Sequence, residues 1–218
     1  MPPRANAAAR PQSAPPVRPE LPREFVAAHK RRRIMDAIAE LTAENGYEAT
    51  KIADIVRRAG VARKTLYDNF EGKEEVFLAA FDSAIDEATA RIEAACAKVE
   101  GGWEERIEAG LAAFLGYIAE EPALARMCMI EALSATPAAT ERYEDAMQRF
   151  VELTKRNVPH DDRLPETIEE TLIGGVAWIV YQQIRRHETE KAMDLLPELS
   201  EFVLAPYLGI GAATRERA

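Results

Sequence analysis

Residues 48–77 constrain this chain more than any other stretch. Ile52, Ile55, Val56 and Ala59 recur at helical spacing and make one apolar stripe on a short helix. Gly60 follows, where a turn with positive φ can end that helix. Val61 plugs the corner, and Leu66 with Phe70 form an i,i+4 apolar pair on a second helix. The opposite face of the second helix carries Arg63, Lys64, Tyr67, Asp68 and Asn69. Two short helices around a glycine turn, the second with a donor-rich face, form the pattern of a DNA-reading helix-turn-helix.

A formal net charge of −9 argues at first against a nucleic-acid partner, but the distribution of charge points the other way. Residues 1–74 hold 14 Lys and Arg against 10 Asp and Glu, whereas residues 75–218 hold 14 against 27. A basic first third on an acidic body suits a DNA reader whose other part points away from DNA. With 218 residues, 47% of them hydrophobic, the chain can bury a substantial core. Ala, Glu, Leu and Arg dominate with few strand-favouring clusters, so an all-α fold is expected.

Residues 1–22 are a tail of Pro, Ala and Arg, expected to be disordered. That tail is either merely solvated or a basic arm in which Arg4, Arg10, Arg18 and Arg23 add phosphate or minor-groove contacts. A first helix over 23–45 has Ile34, Ala37, Ile38 and Leu41 inward and Gly46 as its stop, with the basic run Lys30 to Arg33 offered to phosphates. The second helix spans 50–58 with Thr50 as N-cap, the third 62–69, and the fourth 73–99. Five more follow over 103–120, 122–134, 137–157, 165–187 and 192–208, two of them opened by Pro122 and Pro137. The resulting organisation is the tail, a three-helix unit at 23–74, a second helical unit at 75–210 and a flexible end at 211–218.

Catalytic constellations are missing from the sequence. Gly72-Lys73 lacks the upstream glycine of a phosphate cradle, and Gly209-Ile210-Gly211 lacks the third glycine of a dinucleotide fingerprint. His29, His160 and His187 form no metal-binding pair on a helix, and His160-Asp161-Asp162 reads as a polar loop. Cys96 and Cys128 read as buried reduced thiols. No enzyme, metal or cofactor is expected. Neither a signal peptide nor a run of about 20 apolar residues that could span a bilayer is evident, so the expectation is a cytoplasmic protein without a membrane partner.

DNA reading does have a constellation. Arg63 and Lys64 open the recognition helix, where their side chains can reach guanine O6 and N7, and Asn69 can add an edge contact. Thr50, Thr65, Tyr67 and Lys73, the last with the start of the fourth helix, are the phosphate candidates.

The segments Gly46-Tyr47-Glu48-Ala49-Thr50, Ala59-Gly60-Val61, Thr65-Leu66-Tyr67-Asp68-Asn69-Phe70 and Lys73-Glu74 closely resemble the DNA-binding domain of the TetR (tetracycline-repressor) family. The likeness covers roughly residues 30–80 without gaps. Val56 departs from it, standing where the family usually has Ala, and Ala62 stands where it often has Ser. The resemblance implies a homodimeric regulator, a repressor rather than an activator, bound to a double-stranded DNA operator and released by a small hydrophobic effector.

It also implies a pocket among the fourth to eighth helices. Phe81, Ile85, Trp103, Phe114, Tyr117, Met127, Tyr143, Met147 and Trp178, with Met129, Phe150 and Tyr181, are the candidate lining residues, although such side chains are also ordinary core. The eighth and ninth helices are the expected dimer face, with Gly174-Gly175-Val176-Ala177 admitting a partner backbone and Trp178, Leu199 and Val203 supplying apolar area. The alternative is a ligand-binding or interaction module that keeps the helix-turn-helix without specific DNA reading.

Overall fold

The computed structural model describes residues 23–215, and every regular element among them is helical. The Pro/Ala/Arg tail at 1–22 lies outside the described residues. The elements are α1 (Arg23–Asn45), α2 (Ile52–Ala59), α3 (Arg63–Tyr67), α4 (Lys73–Ala97) and α5 (Trp103–Glu120). After them come α6 (Pro122–Arg126), a π turn (Met127–Glu131), α7 (Ala132–Ala135), α8 (Pro137–Lys155), α9 (Ile168–Arg185), a 3-10 turn (Thr189–Leu195) and α10 (Leu196–Arg215).

Local chemistry sets many of these boundaries. Gly46 ends α1 at φ 82°, and Gly60 ends α2 at φ 61°, both in the left-handed region that disfavours a Cβ. Pro137 occupies the first turn of α8, where it forfeits no hydrogen bond, and the Thr136 hydroxyl caps that turn by accepting from Ala139 N–H at 3.2 Å.

Several expected boundaries move. α2 starts at Ile52, and its N-cap is Lys51, which makes no side-chain cap bond. Thr50 is instead buried, its hydroxyl donating to Gly46 O at 2.9 Å, so it finishes the corner after α1 rather than capping α2. α3 ends at Tyr67, and α4 ends at Ala97. The run expected at 122–134 is one bent helix in three parts, with the π turn in its middle. Pro197 falls in the first turn of α10, preceded by the 3-10 turn, and α10 carries on past Pro206 to Arg215. The expected flexible end is therefore helical over 211–215, and 216–218 lie outside the described residues.

Two apolar clusters organise the packing. One joins Ile34, Ile38, Ile55, Leu66 and Phe70 of the helix-turn-helix to Val76, Phe77 and Phe81 of α4, and continues to Met127, Ala132 and Ala139. The other gathers α5, α9 and α10 around Leu115, Val180, Ile184 and Leu199. α4 belongs to the first cluster along most of its length, and its far end, Ile92 and Cys96, packs with Leu153 of α8. Cys96 and Cys128 are both free and buried. No described helix is long and apolar enough to cross a membrane, and the described residues hold no group of three or more His, Cys, Asp or Glu side chains that could bind a metal.

Candidate DNA-reading face and ligand cavity

α3 is short because its own sequence and its anchors make it so. Ala62, its N-cap, offers no side-chain acceptor, and the Asn69 amide donates back to Thr65 O at 2.8 Å to close the other end. Leu66 is wholly buried and Phe70 nearly so, which pins one side of the helix to α1 and α2. Arg63, Lys64, Tyr67 and Asp68 are left in solvent on the other side, with Tyr67 47% exposed. The Arg63 guanidinium lies 5.6 Å from the centre of the Tyr67 ring and donates to its hydroxyl at 3.4 Å, so the two form one flat, cationic edge.

Three expected contacts change with this geometry. The Asn69 amide is committed to the carbonyl of Thr65, which leaves Arg63 and Lys64 as the long donors of α3. Thr50 is turned into the interior and is withdrawn from the phosphate candidates. Lys73 donates to Tyr47 O at 3.0 Å and lies 3.9 Å from the centre of the Tyr47 ring, so it braces α4 against the corner after α1. Thr65 is half-buried on the flank of α3.

The basic run of α1 turns out to be largely structural. Arg31 donates to Asn69 O at 3.0 Å and stacks over Phe70 at 4.2 Å. Arg33 donates to Gly60 O at 3.3 Å, and Arg32 pairs with Asp36 at 2.9 Å. Arg31 and Arg33 thereby tie the C-terminal end of α3 and the glycine turn back to α1. Arg58 of α2 also reaches α1, pairing with Glu40 at 2.8 Å and Glu44 at 2.7 Å; both pairs are exposed and add little to stability. Sequence spacing carries no sign of these inter-helix partners, because they lie 14 to 38 residues apart.

The second unit holds an apolar cavity of about 100 Å³ that opens to solvent. Ile92 and Cys96 of α4, Ile107, Leu111 and Phe114 of α5, Met129 of the π turn, Met147, Phe150 and Leu153 of α8, and Ile173, Val176 and Ala177 of α9 form its walls. Gly110 allows α4 to lie close to α5 here, since a Cβ on it would stand 3.1 Å from Cys96 Sγ. The polar groups at the wall are mostly spoken for. Thr154 donates to Phe150 O at 3.0 Å, Asn157 to Leu153 O at 2.8 Å, and Cys96 to Arg106 O at 3.3 Å. Burial also pushes the Cys96 thiol up from its ordinary range, so it stays protonated near neutrality. Such a surface binds hydrocarbon and leaves few polar atoms to satisfy, with Arg106 the one cation on its wall among the described residues.

Of the twelve candidate lining residues, Phe114, Met129, Met147 and Phe150 border this cavity and eight do not. Phe81 and Met127 are sealed in the first apolar cluster, against which Tyr143 also packs, and Tyr117 lies in it beneath Arg91. Ile85 borders a charged cleft between α4 and α8. Trp103 packs edge-on against Tyr207, with ring centres 5.6 Å apart. Trp178 is 57% exposed on the outer face of α9, where it stacks on Tyr181. The cavity residues that were missed, such as Ile92, Leu111, Leu153 and Val176, are aliphatic and carry no signal that separates a cavity wall from a core.

Residues 34–80 match the family model described as bacterial regulatory proteins, tetR family. The chain is 36% identical over 61 residues to the fatty acid metabolism regulator protein of Bacillus subtilis (strain 168), covering 28% of this chain and 31% of that protein. It is 30% identical over 118 residues to the HTH-type transcriptional regulator EthR of Mycolicibacterium smegmatis, covering 52% and 54%. The chain thus spans about a third to a half of the length of the curated relatives it matches. Its fold is similar to that of the transcriptional regulator FadR from Bacillus subtilis, solved in complex with stearoyl-CoA, with a TM-score of 0.67 at 18% identity over 79% of this chain and 96% of that one. Residues 34–80 therefore form a helix-turn-helix domain of the kind found in the tetR family of bacterial regulatory proteins, and the fold of the described chain is similar to that of a solved transcriptional regulator.

Proposed function

We propose that the chain is a homodimeric transcriptional repressor that reads a palindromic operator through α3 and releases it when an apolar ligand enters the cavity. The observation that carries this reading is the pairing of two sites on one helix. The start of α4 is braced against the helix-turn-helix through Lys73, and its far end supplies Ile92 and Cys96 to the cavity wall. A ligand that prefers one placement of α4 therefore biases the placement of α3. Arg63 and Lys64 are the base readers, and Thr65 and Tyr67 hold phosphates. The cavity's aliphatic wall and the acyl ligand of the similar Bacillus subtilis structure favour a long-chain acyl compound as effector. A reader of bacterial operators works in the cytoplasm.

Dimerisation is assigned to α9 and α10. Trp178, Phe202 and Leu208 are large, apolar and exposed there, and a Cβ on Gly174 would meet open space. Gly175 has a different role, because Phe202 of the same chain packs against it and a Cβ would stand 2.8 Å from that ring. Such a two-fold protein presents two α3 helices to half-sites about 34–36 Å apart.

Selection of bound sequences from a random duplex library, followed by titration of the winner at several salt concentrations, tests the reading. A near-palindromic site with a steep salt dependence is the expected result. Binding without an enriched sequence would sink the assignment of α3 as a base reader. Sedimentation of Trp178→Ala tests the interface, and an unchanged dimer would move it off α9.

A further inference from the structure

We infer that the π turn at Met127–Glu131 is a latch that carries the filling of the cavity directly to the corner before α2. Resting on the ligand reading above, it adds a second route to the one through α4. Met129 of the turn lines the cavity. Two residues on, the Glu131 carboxylate accepts from Tyr47 N–H at 3.2 Å, reaching out of the second unit to the residue that follows the α1 stop.

Tyr47 is a junction. Its carbonyl accepts from Lys73 Nζ at 3.0 Å and from Thr50 N–H at 3.1 Å, and its ring meets Phe77 edge-on at 5.1 Å. Glu131 supplies the acceptor for its N–H. The corner that sets the direction of α2 is thus held by α4 on one side and by the π turn on the other.

A π turn is suited to switching because it carries one residue more than the α-helix around it, and its i→i+5 bonds are readily exchanged for i→i+4 bonds. That exchange turns everything beyond it by about 100° about the helix axis, the angle of one α-helical residue. Glu131 closes the turn, so rewinding swings its carboxylate off Tyr47. Met127 and Cys128 are buried, which confines the turn to discrete packings. A hydrocarbon chain in the cavity presses on Met129 and favours the rewound form.

Amide hydrogen exchange at Tyr47, read by mass spectrometry from fragments ending on either side of it, tests the latch in the intact chain without needing DNA. Glu131→Ala removes the acceptor and should raise the exchange rate about tenfold, as expected for one hydrogen bond to a charged acceptor. Glu131→Gln keeps an acceptor and should stay near wild type. Met129→Trp fills the cavity from the turn and should raise exchange by the same factor, with no further rise when combined with Glu131→Ala. Met129→Phe is the milder filling, used if circular dichroism shows the Trp variant to be unfolded. The latch is overturned if the filled variant exchanges at the wild-type rate, or if the effects of the two substitutions multiply. A parallel arm adds palmitate to the wild type and follows alkylation of Cys96 as a measure of cavity occupancy. Protection of Cys96 with faster exchange at Tyr47 supports the latch, and protection with unchanged exchange overturns it. No protection of Cys96 would count against the ligand reading alone, and the filled variant then decides the latch by itself.

Discussion

The outer face of α3 and the cavity are opposites in their physical chemistry. On α3, the apolar side is locked and the polar side is left free, so Arg63 and Lys64 stand in solvent with their donors turned outward. In the cavity the Thr154, Asn157 and Cys96 side chains bond to backbone carbonyls and the apolar side is left open, so hydrocarbon faces empty space. A face of the first kind binds through charge and hydrogen bonds and is sensitive to salt. A space of the second kind binds by removing apolar surface from water and selects by shape. One molecule can couple two such sites because each is indifferent to the other's chemistry; they meet only through packing.

Four substitutions test this contrast, taken from the largest expected effect. Leu66→Ala removes the wholly buried anchor of α3 and should cost about 3 kcal/mol of stability in a denaturant titration, with DNA affinity lost as well. An intact affinity would mean that the reading face does not depend on its locked side. Arg63→Ala should leave the denaturation midpoint unchanged and cost about 2 kcal/mol of operator binding, with relaxed sequence preference in a repeated selection. A loss that is equal for every sequence would make Arg63 a phosphate contact. Lys51→Ser supplies the side-chain acceptor that the start of α2 lacks, and thermal unfolding should show a gain of about 1 kcal/mol. Thr154→Val deletes a cavity hydroxyl that already bonds to its own helix, so binding of a fluorescent acyl probe should change by less than about 0.5 kcal/mol. A larger loss would show that the hydroxyl turns to meet the ligand, and the contrast between the two sites would weaken.

The two regions also differ in how far their sequences disclose them. The helix-turn-helix is written in short-range spacing: Ile55 and Ala59 on one helix, Gly60 at the corner, Leu66 on the next. Each of these lies where its pattern put it, and Phe70, paired with Leu66 by spacing, is buried just past the end of α3. What spacing misassigns there is partners rather than elements. Thr50 has the right residue type for a cap but bonds backward to Gly46 O, and Asn69 has the right type for a base contact but closes α3. Arg31 and Arg33, with the charge for phosphate contacts, instead stack on or bond to groups 27 or more residues away.

In the second unit the helices were legible and the cavity was not. Aromatic and methionine side chains are large enough to suit either a pocket or a core, and here Phe81 and Met127 fill core while Trp178 lies on the outside. Ile92, Leu153 and Val176 form the wall instead, as aliphatic residues of the kind that fills any core.

By itself, then, the sequence determined the helical class, the two short helices about Gly60 and the cationic face of α3, because each depends on residues within a few turns of one another. Only the tertiary structure decided which cations are free, where the apolar helices leave a gap, and that Glu131 reaches Tyr47 across 84 residues. Those outcomes depend on how whole helices lean on each other. A side chain's periodicity states which face it occupies, but not what stands opposite.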